Sequence, residues 1–254
     1  MLSGNDALNS GQRIGYYISL NSGRLFQAME RLSSGLRINR ASDDPAGLVI
    51  SEQLRAQIAS MNQEIENISA NINKYNTADS LMGTLREHLI ELRSLAVGAS
   101  NTAFNSDDAQ AAYHRSAELI TEGYNRIIDN SEYNGAKLFD GSKGSVASIN
   151  KLSGINMSDA ESVKASLATI DNAEKELNAE QVEIGATVKN EFESQRNTLR
   201  VSQQNLIAAE SNLRDADFVT EYTNFITESF KTRLGFLLLA HSEMNARTIL
   251  KLFD

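Results

Sequence analysis

The sequence predicts an all-α protein, a long antiparallel coiled-coil or helical-bundle hairpin with one small β-hairpin at its tip. Three observations carry this. First, apolar or small residues recur at Ile50, Leu54, Ile58, Met61, Ile65, Ile68, Ile72, Tyr75, Ala78, Met82, Leu85, Leu89 and Leu92. The steps alternate mostly between four and three and average about 3.5, the period of a left-handed coiled coil. Second, a heptad of matching length runs from near Ser158 to Leu213. Third, the chain has one Pro, no Trp and only 6% aromatic residues. Long helices tolerate no interior Pro, and a rope of helices needs few large rings.

A chain of 254 residues allows one or two domains. The formal charge of -9 disfavours a nucleic-acid backbone or an anionic membrane as partner. The absence of Cys excludes disulfides, thiol catalysis and Cys-ligated metals. The N-terminus lacks a basic start followed by an apolar run, so a Sec-type signal is not expected. The longest apolar run, Phe236 to Ala240, is far too short to span a bilayer, so no membrane insertion is expected.

In chain order, residues 5–36 form a weaker stripe of Leu8, Ile14, Tyr17, Leu20, Leu25, Met29, Leu32 and Leu36. Gly11, Gly15 and Gly23 each cost about 1 kcal/mol in a helix interior, so this segment is expected to be helical only when packed. Residues 37–44 break the pattern. Asp44 before Pro45 reads as an N-cap with Pro at the first helical position, opening the long helix. At about 1.5 Å per residue, the stripe from Ile50 to Leu92 spans roughly 65 Å and needs a partner of similar length. Ser100 to Asp108 reads as a polar turn, with Ser106 to Asp108 capping a return helix over about 109–130.

Residues 131–157 change character. Tyr133-Asn134-Gly135 is a turn signal. Ala136 to Phe139 and Val146 to Leu152 are expected to form one small hairpin. Ser158 to Glu161 can cap the next helix, whose stripe is Val163, Leu167, Ile170, Ala173, Leu177, Ile184, Val188, Phe192, Leu199, Leu206, Ala209 and Leu213. The last segment carries Phe225, Ile226, Phe230, Leu234, Leu237, Leu238, Ile249, Leu252 and Phe253, and is the natural companion of the first stripe.

The expected division is 1–44, an N-terminal helix and spoke; 45–213, a helical bundle with its tip near 131–157; and 214–254, a C-terminal helix paired with 1–40. Two helices alone cannot hide both Phe225/Phe230 and Leu234/Leu237/Leu238, because these wrap more than one face. Leftover apolar faces on a long molecule are assembly surfaces, and a non-closing rotation between copies gives a helical filament. The assembly set is therefore Leu20, Leu25, Met29, Leu32, Leu36, Phe225, Phe230, Leu234, Leu237, Leu238, Ile249 and Leu252.

Chemistry is sparse. His88, His114 and His241 are scattered, none in a ligand pattern such as His-Glu-x-x-His. Asp43 and Asp44 are adjacent, so they do not face each other as an acid/base pair. No Gly-rich phosphate loop is present. No enzyme, cofactor or metal is expected.

The segment from Glu30 to Leu48, which includes Ser33-Ser34-Gly35-Leu36-Arg37-Ile38-Asn39-Arg40-Ala41-Ser42-Asp43-Asp44-Pro45, resembles the N-terminal signature of bacterial flagellin. Leu92-Arg93-Ser94-Leu95-Ala96-Val97, Tyr133-Asn134-Gly135 and Leu213-Arg214-Asp215-Ala216-Asp217-Phe218-Val219-Thr220-Glu221 are similar to three further signatures, in the family's order. The resemblance implies a short flagellin without the variable outer domains, with an inner domain of terminal helices and an outer helical bundle. Arg31, Arg37, Asn39, Asp43, Asp44, Pro45, Arg214, Asp215 and Asp217 would form the spoke and its caps. Leu85, Leu89, Glu91, Leu92, Arg93 and Leu95 would form the bundle core and the contact and receptor region.

The implied function is a structural, self-polymerising subunit of the hollow flagellar filament, for motility. It would be secreted by type III export to the extracellular flagellum. Implied partners are further copies of itself, the export apparatus, a cytosolic chaperone on the C-terminal segment, and the filament cap and hook-junction proteins. The alternatives are a hook–filament junction protein or a secreted helical binding or tip module. Some flagellins are O-glycosylated; Ser142, Ser145 and Ser148 at the tip are candidates.

Two departures from the family are visible. The end, from His241 to Asp254, lacks the usual Gln- and Asn-rich pattern. In flagellins seen by the vertebrate innate immune receptor, the resemblance implies an Arg and a Leu in the stretch that ends in Leu-Ala-Val. Leu95 matches that Leu, but Glu91 stands where the Arg is expected, which predicts weak receptor activation.

Overall fold

The computed structural model describes residues 4–101 and 105–250, and of 4–10 and 245–250 only the helical backbone. The order is α1 (Gly4–Ser34), α2 (Pro45–Ala99), α3 (Asp107–Asn130), β1 (Glu132–Tyr133), β2 (Ala136–Lys137), α4 (Ala160–Ala186), a π-helical turn (Thr187–Phe192), α5 (Glu193–Arg214) and α6 (Phe218–Leu250). The all-α class is as expected. The chain divides into two compact units, residues 1–60 with 203–254, and residues 61–202. These bounds fall inside α2 and α5; of the expected divisions, 44/45 lies at the start of α2 and 213/214 one residue before the end of α5.

In the unit of residues 61–202, the α2 heptad sets the core. Ala78, Met82, Leu85, Leu89, Leu92, Ala96 and Ala99 are fully buried, together with Ala117 and Tyr124 of α3 and Val163, Ile170 and Leu177 of α4. Burying one such large side chain is worth about 1.5–3 kcal/mol. Burial pushes the Tyr124 hydroxyl up to about 12, and Glu176 adds to the shift. Ser106 caps α3 by accepting from the Ala109 N–H at 3.3 Å. Asp159 caps α4, accepting from Glu161 and Ser162 N–H.

Three expectations are corrected. The hairpin pairs Glu132 with Lys137 and Tyr133 with Ala136 around Asn134-Gly135, both at positive φ. Ala136 thus pairs backwards, while the later stretch joins 138–140 irregularly: Val146 and Ala147 N–H donate to Leu138 O, Ile149 N–H to Phe139 O, and Asp140 bridges Ser148. The Asn-Gly turn claims the strand on its own side because a two-residue loop closes at little entropic cost. Ile50 is half exposed and Ser51 is buried in its place. Finally, the heptad over 158–213 is interrupted by the π turn. Ile184, Val188, Phe192 and Arg196 keep three successive steps of four, wider than 3.6 residues per turn, and a π turn absorbs that excess. Phe192 there meets Tyr75 of α2 edge-on at 5.1 Å.

Candidate assembly surface

In the unit of residues 1–60 and 203–254, α1 and α6 pack antiparallel. Arg31 Nη1 donates to Glu221 Oε1 at 2.9 Å. Farther along, a Cβ on Gly235 would come within 2.6 Å of Ile18 Cγ1, so only Gly fits this crossing. On α1 the inward row is Ile14, Ile18, Asn21, Leu25, Ala28 and Leu32. On α6 it is Glu221, Phe225, Glu228, Thr232, Gly235, Leu239 and Ser242.

The α6 seam is therefore mostly polar or small, and its large apolar side chains face away from α1. Phe230 is 61% exposed, Leu237 67% and Leu238 57%, with Leu234, Ile226 and Phe236 also exposed. On α1, Tyr17, Leu20 and Met29 face outward, a correction to their place in the stripe; Ile18 and Ala28 take the inward positions. Leu25, Leu32, Leu36 and Phe225 are half-buried. The side chains of Leu8 and Ile249, and all of Leu252 and Phe253, lie outside the described residues. An aromatic ladder, Phe218, Tyr222 and Phe225, stacks along the first turns of α6 with centroids 6.4 Å apart.

The segment between α1 and α2 is fastened to the α5–α6 junction. Gly35, at φ +71, ends α1. Leu36 and Asp215 form an antiparallel bridge, in which Arg37 N–H donates to Arg214 O at 2.6 Å and Ala216 N–H to Gly35 O at 2.9 Å. The Arg37 guanidinium donates to Leu213 O. Asn39 Nδ2 donates to Leu36 O at 2.9 Å. Asp43 accepts from the Asn39 and Arg40 N–H groups, and these bonds hold its carboxyl below the ordinary range, the Arg40 bond first. Asp44 accepts from Gly47 N–H at 2.8 Å, behind Pro45, the first residue of α2. Arg214 Nη1 reaches Glu52 at 3.0 Å and Ser51 Oγ at 3.3 Å. Asp215 accepts from Ser211 Oγ, and Asp217 caps α6 through Val219 and Thr220.

In the other unit, Leu85, Leu89 and Leu92 are buried core. Arg93 pairs with Asp171 and with Glu174, the latter at 3.0 Å. Leu95 is half-buried and Glu91 exposed. Ser142 and Ser148 are exposed and Ser145 half-buried. Among the described residues no group of three or more His, Cys, Asp or Glu could hold a metal ion, and no helix is long and apolar enough to cross a membrane. Sequence reasoning missed Ile18, Ser51, Glu228 and Gly235. Gly235 alone carried a signal, a glycine beside an apolar run.

These elements define a helical structural protein whose terminal helices present their apolar faces outward. The bacterial flagellin N-terminal helical region matches residues 9–144, and the bacterial flagellin C-terminal helical region matches residues 167–253. A flagellin of Halalkalibacterium halodurans is 32% identical, over 97% of this chain and 96% of the relative. A Bacillus subtilis flagellin is 28% identical over 97% of both chains, and flagellin FlaB1 of Treponema pallidum 26% identical over 89% and 91%. The chain belongs to the bacterial flagellin family. It is a structural subunit of the flagellar filament.

Proposed function

We propose that the chain polymerises through its terminal helices into a hollow filament, with residues 1–44 and 214–254 forming the inner domain and 45–213 the outer bundle. The observation that carries this reading is the outward apolar face of α6, with Phe230, Leu234, Leu237 and Leu238 exposed. Exposed apolar side chains in such a row mark an interaction surface, and a second copy is the partner that repeats without limit. In this reading Leu20 and Met29 on the outer side of α1 belong to the same surface. The spoke residues from Arg31 to Pro45, with Arg214, Asp215 and Asp217, hold the inner domain in register. The protein acts mechanically and has no catalytic role.

The reading extends to secretion. The chain leaves the cell unfolded through the flagellar export apparatus, with a cytosolic chaperone covering the apolar C-terminal segment. It then meets the filament cap and the hook-junction proteins. Ser142, Ser145 and Ser148 are the positions offered for O-glycans.

The test is electron microscopy of the purified chain after short filament seeds are added. Long filaments are expected, lost when the chain is trimmed before Leu25 or after Phe218. Seeds that stay short with protein bound at their tips would instead assign a junction role. A chain that ignores the seeds, with protease-resistant ends, would leave a secreted binding module.

A further inference from the structure

Glu221, Glu228, Gly235 and Ser242 recur every seven residues on the inward row of α6. Glu221 has its partner across the seam in Arg31, and Gly235 has its close packing on Ile18. Glu228, one heptad from each, has no hydrogen-bond partner on α1 among the described residues. It is 8% exposed. The antiparallel register carried from the two flanking contacts puts it at the level of Arg24 and Leu25. Its Oε2 is buried with no hydrogen-bond partner among the described residues. Its Oε1 accepts from Lys231 Nζ at 2.7 Å, a donor on its own helix.

The energetics follow from that arrangement. The Glu228–Lys231 pair is available to α6 whether or not α1 is present. Closing α1 over it strips water from a carboxylate oxygen and returns no bond from α1. A buried carboxylate oxygen that gains no hydrogen bond across an interface opposes the interface. The Arg31–Glu221 contact and the Ile18–Gly235 crossing hold the seam on either side of this weak point.

We propose that Glu228 is a built-in destabiliser that keeps the α1–α6 pair separable in the free chain and so sets how readily the terminal helices join a growing filament. The assembly half of this inference rests on the filament reading above; the destabilising half does not.

The test compares the full-length wild type with Glu228→Leu, which offers Leu25 an apolar neighbour, and Glu228→Gln, which removes the charge but keeps the shape. Hydrogen exchange of the free chain is read over α1 and α6, with α3 as internal control. Glu228→Leu is expected to slow exchange in both terminal helices about tenfold or more and Glu228→Gln by less, with α3 unchanged. Exchange in Glu228→Leu equal to or faster than wild type overturns the proposal. Incorporation onto seeds is then measured for the same chains. Slower incorporation of Glu228→Leu is expected; slower exchange with unchanged incorporation overturns the link to assembly. A wild type that fails to extend seeds sinks the filament reading itself, and the exchange result still decides the role of Glu228.

Discussion

Arg31 of α1 and Glu221 of α6, 190 residues apart in the chain, meet at 2.9 Å, with the carboxylate side chain only 9% exposed. Glu221→Ala leaves the Arg31 guanidinium part-buried without its anion. The loss of a charge-assisted bond in such a setting costs about 2 kcal/mol. Urea unfolding should show a lower midpoint for Glu221→Ala, and the exchanged pair Arg31→Glu with Glu221→Arg should recover part of it. A midpoint unchanged in the single variant would show that the pair contributes nothing.

Gly47 and Gly83 of α2 should respond to alanine with opposite signs. A Cβ on Gly47 would sit 2.4 Å from Asp44 Oδ2 and 2.9 Å from Ile38 Cδ1, displacing the cap of α2 and the buried Ile38. Gly47→Ala should destabilise by about 1–3 kcal/mol. Nothing lies within 4 Å of a Cβ on Gly83, so Gly83→Ala should stabilise by up to about 1 kcal/mol. Thermal melts of the two variants beside the wild type check both signs.

The terminal unit should loosen in acid. Asp217 accepts from the Thr220 and Val219 backbone and from the Thr220 hydroxyl, and these bonds hold its carboxyl below the ordinary range, the Thr220 backbone first. Asp43 is lowered in the same direction. A lowered folded-state pKa gives stability that is present above the unfolded value of about 3.9 and lost as pH falls through the folded value. Exchange protection in α6 should therefore fall below about pH 4. Asp217→Asn keeps an N-cap without a proton to gain, so it should flatten that part of the pH profile. An identical profile in the variant would remove Asp217 from the account.

The α2 stripe was legible because each residue from Tyr75 to Ala99 on the 3.5 period faces one shared core, and period and burial then agree. The cap at Asp44-Pro45 and the Asn134-Gly135 turn were legible because local chemistry alone sets them. The inward face of α6 was not. Its apolar residues wrap most of the helix, so periodicity names no single face, and the row that turns inward is Glu221, Glu228, Gly235 and Ser242. Only tertiary contacts from α1, the Arg31 pair and the Ile18 crossing, choose that row. The π turn did have a signal in the spacing of Ile184, Val188, Phe192 and Arg196, which no regular α-helix keeps on one side.

Glu91 and Leu95 lie one turn apart on α2, with Glu91 exposed and Leu95 half-buried against the bundle core. The flagellin resemblance implies an Arg at the place of Glu91 in flagellins read by the vertebrate innate receptor. A surface that attracts a guanidinium repels a carboxylate at the same point, and such a reversal costs several kcal/mol in a contact that excludes water. The neighbouring Arg93 does not replace it, since its guanidinium is engaged by Asp171 and Glu174 within the bundle. The purified chain should therefore activate receptor-reporter cells at least about tenfold less potently than an enteric flagellin, each tenfold step being worth about 1.4 kcal/mol. Glu91→Arg should recover much of the response without changing the thermal melt, because an exposed substitution away from the core shifts stability by no more than about 0.5 kcal/mol. Full potency in the wild type would show that this position does not govern recognition; no gain in Glu91→Arg would move the defect elsewhere on the bundle.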